Sequence, residues 1–216
     1  MEETLREAKE YHDMKFKIVK VKTGLDPEED AARILKIHEA FPDLVVRVDA
    51  NQGYNVKDLG IFLDRTKEVT LDLIEQPFPV DTFIEDIEWM EEKDAAILVA
   101  DESMKDPTDA LEIIRRTKQC RIFNIKLMKT GGLLAARQIA HMAETASMDL
   151  MWGCNDESAV SIAAALHLAL SCPHTKYLDL DGSLDLVEDA VSGGFSIGEG
   201  LMMPSLAGGL GVEIRK

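Results

Sequence analysis

Three acids and two lysines recur at near-equal spacing along this chain. Lys22, Asp49, Glu75, Asp101 and Lys126 follow one another at intervals of 27, 26, 26 and 25 residues. Each stands at the end of a short apolar run, in "FKIVKVK", "LVVRVD", "LDLIE", "AAILVAD" and "RIFNIK". A period of this length marks a repeated supersecondary unit, here one whose last strand residue is charged. In "LDLIEQPFP" the run stops at once, because Pro77 and Pro79 lack the donor that a sheet ladder needs. One acid in such a place could simply cap the next helix. Three at even spacing suggest a shared task. Converging carboxylates repel one another unless a cation joins them, and an all-oxygen donor set suits a hard divalent ion, Mg²⁺ first and Mn²⁺ next.

The lysines flank the acids in sequence, Lys22 one period before them and Lys126 one period after. In "KVK" the alternation of a strand puts Lys20 and Lys22 on the same face. Two neighbouring ammonium groups disfavour one another's charge, which suits one of them to act as a base. A divalent ion with an amine on either side points to proton abstraction next to a carboxylate. One lysine removes the α-proton, the other returns one to the opposite face, and the ion stabilises the enediolate between.

Elements of a particular kind must place these residues. The segment between Lys22 and Asp49 opens with Asp26 and Pro27, a cap residue followed by a proline at the first helical position. Its Ala31, Ile34, Ile37 and Phe41 share one helical face. "VDTFIEDIEWMEEKDA", "DPTDALEIIRRTKQC", "GLLAARQIAHMAETAS" and "ESAVSIAAALHLALS" repeat the design. Strands are expected to begin near Phe16, Leu44, Leu71, Ile97, Ile122, Leu150 and Tyr177. Strands alternating with helices of this length mean βαβ units and a parallel sheet. The fold class is therefore α/β, a parallel (β/α) TIM-type barrel, in which the C-terminal ends of all strands open on one face. Residues 1–186 are assigned to that barrel with seven strands, one fewer than it needs, and the chain opens instead on a helix, "MEETLREAKEYHDM". Residues 187–216 form a glycine-rich C-terminal segment expected to pack outside it.

Composition sets the remaining bounds. The chain has 216 residues, is 46% apolar and carries a formal charge of −16, so it suits one globular core and neither nucleic acid nor anionic membrane as partner. No apolar run reaches the length of a membrane span. The acidic N-terminus is unlike a secretory signal, and three cysteines without metal-type pairing fit a reducing cytoplasm. Cys154 reads as structural, Trp89 as helix packing, and Trp152, near a strand end, as lining a pocket.

Taken together, "KVK", "VDAN", "IEQP", "ADES" and "NIKLMKTGG" resemble, in this order and spacing, the enolase superfamily and within it the muconate-lactonizing subgroup. The resemblance implies Asp49, Glu75 and Asp101 as metal ligands and Lys22 and Lys126 as the acid/base pair. It makes Lys20 an auxiliary lysine and Asn51 a residue supporting the metal site. The last strand, "YLDLDGS", carries Asp179 and Asp181 on one face, a pair similar to that of L-Ala-D/L-Glu epimerases, where it holds the α-ammonium of the dipeptide.

The implied activity is that of an isomerase, a Mg²⁺-dependent epimerase or racemase acting on an L-Ala-D/L-Glu-type dipeptide. A muconate cycloisomerase or an o-succinylbenzoate synthase is the enzymatic alternative, and neither has an ammonium for Asp179 and Asp181 to bind. A third reading is a catalytically incomplete barrel fragment serving as an assembly module. The chain departs from the family pattern in lacking the N-terminal capping domain and the first barrel strand. Unpaired strand edges recruit partners, so a homo-oligomer or a missing N-terminal cap fragment is expected alongside the dipeptide substrate.

Overall fold

A computed structural model of the chain describes residues 2–215. Two compact units account for it, residues 1–103 with 117–121, and residues 104–116 with 122–216.

The first unit contains α1 (Glu2–Asp13), β1 (Ile18–Lys22), α2 (Pro27–Ala40), β2 (Val45–Asp49), α3 (Val56–Arg65), β3 (Leu71–Glu75), α4 (Phe83–Ile87), α5 (Glu92–Ala95) and β4 (Leu98–Ala100). Its four strands pair in parallel in the order β1-β2-β3-β4. The strands are short and nearly free of polar residues on the face turned to the helices, as parallel strands buried on both sides must be. Val46, Val48, Leu73, Ile74, Leu98 and Val99 are buried, as are Ile34 and Ile37 of α2 and Leu59 and Phe62 of α3. The helices start where capping chemistry lets them. The Asp26 carboxylate accepts from the amides of Glu28 and Glu29 ahead of α2, and Asn55 accepts from Asp58 ahead of α3.

Two sequence expectations change here. The segment 80–95 is not one helix but two short ones, α4 and α5, broken at residues 88–91. Trp89 lies in that break and is 80% exposed, so it does not pack a helix. The helix α3 buries only Leu59 and Phe62 of its ten residues.

The second unit contains α6 (Pro107–Arg116), β5 (Ile122–Ile125), α7 (Leu127–Thr130), α8 (Leu133–Thr145), β6 (Asp149–Trp152), α9 (Ala159–Ser171) and β7 (Thr175–Leu178). The short strands β8 (Val191–Gly193), β9 (Phe195–Gly198), β10 (Leu201–Pro204) and β11 (Val212–Ile214) follow. Here β5, β6 and β7 pair in parallel, whereas β9 with β10 and β8 with β11 form antiparallel ribbons. The glycines of "KTGG" make the turn between α7 and α8, where Gly131 and Gly132 both hold positive φ, +86° and +101°. Helix α9 packs one side on β6 and another on β8 and β10.

No helix among the described residues is long and apolar enough to cross a membrane.

Candidate active site

Parallel pairing sets the first unit's charged residues side by side. Lys22 is the register partner of Asp49, and Asp49 of Glu75, so the three stand in one row across the C-terminal ends of β1, β2 and β3. Asp101 follows directly on β4. None of these acids caps a helix. The caps are Asp26, Asn55 and, ahead of α6, Asp106, whose carboxylate accepts from Thr108 and Asp109. The helix-cap explanation of Asp49, Glu75 and Asp101 is thereby removed.

All three acids are buried. Lys22 Nζ donates to Asp49 Oδ2 at 2.7 Å and to Asn51 Oδ1 at 2.9 Å. Lys20 Nζ lies 3.4 Å from Glu75 Oε2 and 3.9 Å from Asp49 Oδ2. Its position follows from strand alternation, which turns Lys20 and Lys22 to the same face. Burial pushes the Glu75 carboxyl up to about 8 against the pull of Lys20. A hydrogen bond with Asp101 and the charges of Asp49 and Asp101 contribute to that rise. Among the described residues, no three His, Cys, Asp or Glu side chains are already arranged to hold an ion. The donor chemistry nevertheless fits one, because a hard divalent cation among buried carboxylates would offset their desolvation.

Polar side chains in the turns after the strands hold this row in place, Gln76 and Glu102 beside the expected Asn51. Gln76 follows Glu75 with φ of +35° and is wholly buried. Its Oε1 accepts from the amides of Asp101 and Ser103 at 2.9 and 3.1 Å, and its Nε2 donates to Phe78 O and Ser103 Oγ. Gln76 thus ties the turn after β3 to the turn after β4. Asn51, at φ of +41°, donates through Nδ2 to Glu102 Oε1 at 3.1 Å, which fixes its amide so that Oδ1 faces Lys22. Non-glycine residues at positive φ persist where surrounding structure over-determines them. The signal was present in "IEQP" and "ADES", but which polar atom meets which is a tertiary fact.

In the second unit, Lys126 stands at the C-terminal end of β5, where it precedes the first residue of α7, and it is largely buried. Asp179 extends β7, its amide donating to Trp152 O at 2.9 Å. Asp181 is exposed beyond it. The two meet at Cys154, whose thiol donates to Asp179 O at 3.2 Å and lies 3.6 Å from Asp181 Oδ1. Burial first, and then the charges of Asp181 and Asp179, push that thiol up to about 12, so it stays protonated and serves as a donor. Trp152 does not line a pocket. It is wholly buried, and its indole donates to Thr175 Oγ1, which itself donates to Ala169 O in α9.

The family model of the enolase C-terminal domain-like proteins matches residues 3–216. The chain belongs to that family. Its fold class is accordingly the parallel (β/α) barrel of the enolase superfamily. Among family members, the L-Lys-D/L-Arg epimerase of Methylococcus capsulatus is 48% identical over 217 residues, which cover 98% of this chain and 60% of that protein. The L-Ala-D/L-Glu epimerase of Bacillus subtilis is 34% identical over 212 residues, covering 96% and 57%. A crystal structure of the Methylococcus capsulatus dipeptide epimerase with Mg and the dipeptide L-Arg-D-Lys matches with a TM-score of 0.93 at 46% identity, covering 98% of this chain and 60% of that one. The chain thus spans about 60% of the length of these relatives.

Proposed function

We propose that this chain carries the catalytic residues of a Mg²⁺-dependent dipeptide epimerase. The observation that carries the reading is the in-register row Lys22–Asp49–Glu75, a base candidate beside buried acids at adjoining strand ends. Asp49, Glu75 and Asp101 are the residues that would hold the ion, supported by Asn51 and Gln76. When bound, the divalent ion supplies positive charge that lowers the cost of the enediolate.

The lysines do the proton chemistry. The neutral amine of one lysine takes the α-proton of the substrate's C-terminal residue, and the C–H electron pair passes into the carboxylate group. The ammonium of the other then gives its proton to the opposite face, which inverts the centre. Lys22 and Lys126 are assigned these roles, and inversion requires that they act on opposite faces. Lys20 keeps positive charge beside Glu75. Asp179 and Asp181 would receive the α-ammonium of the dipeptide, held in place by the Cys154 thiol.

For the substrate, two readings have support. An L-Ala-D/L-Glu-type dipeptide follows from the acid pair. A dipeptide with cationic side chains, of the L-Lys-D/L-Arg kind, is favoured by the higher identity to an epimerase of that name. It is also favoured by the segment 179–189, where Asp179, Asp181, Asp185, Glu188 and Asp189 stand without one Lys or Arg. We place the cationic dipeptide first.

The test is α-proton exchange in D₂O with Mg²⁺, followed by NMR on L-Lys-L-Arg and on L-Ala-L-Glu. Exchange with inversion is expected for the wild-type chain. In Lys22→Ala and Lys126→Ala, inversion is lost while each variant still washes out the proton of one stereoisomer. Turnover that survives both substitutions would rule out the two-lysine mechanism.

A further inference from the structure

Asp30 is a wholly buried carboxylate that the proposed chemistry does not use. It lies in the first turn of α2 yet does not cap it, because Asp26 already does. Its four partners instead come from elements that carry the reactive row. Oδ2 accepts from the amides of Gly24 at 2.8 Å and Leu25 at 3.2 Å, in the turn after β1, and from Tyr54 OH at 2.6 Å, in the turn after β2. Oδ1 is paired with Arg33, whose Nη2 also donates to the carbonyl of Lys22 at 3.0 Å. Tyr54 is itself buried, and its amide donates to Pro77 O just past Glu75.

The two turns are interlocked around this carboxylate. Thr23 donates its amide to Asp49 O at 2.8 Å. A Cβ on Gly24 would come within 2.1 Å of Ala50 O, and one on Gly53 within 2.0 Å of Gly24 O. Burying a carboxylate is costly unless donors surround it, and here the donors come from the turns after β1 and β2 and from Arg33, which also holds the carbonyl of Lys22. Burial and the Asp30 charge also hold the Tyr54 phenol above its ordinary value, so that it remains a donor.

We propose that Asp30 is a positioning residue for Lys22. With Tyr54 and Arg33 it fixes the backbone from which the Lys22 ammonium reaches Asp49 and Asn51, and so governs proton transfer on one face of the substrate only. The catalytic part of this statement rests on the proposed epimerase; the placement of Lys22 does not.

The experiment uses chains labelled with ¹³C at lysine Cε, with the Lys22 signal assigned by its loss in Lys22→Arg. Asp30→Asn and Tyr54→Phe are compared with Ile87→Ala, a core substitution in α4 that lowers stability away from the two turns. The second variant removes the 2.6 Å bond while leaving the Asp30 carboxylate in place, and guards against misfolding of the first. The Lys22 signal is expected to move in both test variants and to stay in Ile87→Ala. Exchange from the stereoisomer presented to Lys22 is expected to fall about 100-fold in Asp30→Asn, the effect of a base misplaced by about 1 Å. Exchange from the other stereoisomer is expected to hold near the wild-type rate. An unmoved Lys22 signal, or equal slowing of both isomers, would overturn the proposal. If no dipeptide exchanges even in the wild type, the epimerase reading fails, while the Lys22 signal still decides the role of Asp30.

Discussion

Glu75 shows what an acid costs at the end of a core strand. Its carboxyl is pushed up to about 8 from an ordinary 4.5, chiefly by burial. A carboxyl raised in the folded state favours folding while it is protonated. That contribution is complete below about 4.5 and is lost as pH climbs through about 8. Without divalent ion, the melting temperature is therefore expected to fall between about pH 5 and about pH 8. If Asp49, Glu75 and Asp101 hold Mg²⁺ as proposed, the ion favours the ionised cluster and should raise the melting temperature more at the upper end of that window than at the lower. Calorimetry at both ends checks this, and a Mg²⁺ effect that is absent or independent of pH would remove Asp49, Glu75 and Asp101 as ligands. The acids themselves were plain in the sequence, as residues ending buried runs. Gln76, Glu102 and Asp30 were not, because a polar residue in a turn acquires meaning only from the atoms it meets.

Strand ends and the turns after them carry the proposed site. The β1–α2 and β2–α3 turns approach so closely that neither Gly24 nor Gly53 has room for a Cβ. Gly24 also sits at φ of +97°, where side chains are strained. Gly24→Ala is expected to cost about 3 kcal/mol, from strain plus a backbone clash. Asp26→Ala, which removes only a helix cap in the same connection, should cost about 1 kcal/mol. Urea midpoints of the two variants measure the difference, and equal losses would mean that the turns are free to separate. Helix α2 was legible from its cap, its proline and its apolar face, because these are local. The break between α4 and α5 was not. An apolar period of the right length can be met by two short helices as well as by one, and exposed Trp89 belongs to neither.

Charge is a property of the whole chain, and at −16 it is large for 216 residues. Such a field raises the encounter rate of cations and lowers that of anions, and added salt screens both over about 10 Å at 0.1 M. If the substrate is the cationic dipeptide, kcat/KM should fall several-fold as ionic strength rises, whereas for L-Ala-L-Glu it should hold or increase. Initial rates across a salt series test this, and the same response for both substrates would remove the cationic preference. The sequence by itself determined the repeat of strand and helix, the five charged residues that end strands, and the family to which they point. It could do so because hydrophobic period and parallel-strand length are set by local geometry, and a 26-residue spacing leaves little choice of unit. Only the tertiary structure decided that the acids are not helix caps and that Trp152 is core. It alone showed which atoms Asp30, Gln76 and Glu102 meet in the turns beside Lys22, Asp49 and Asp101. Those facts depend on contacts between turns that lie 20 or more residues apart, and no local pattern encodes which donor will face which acceptor.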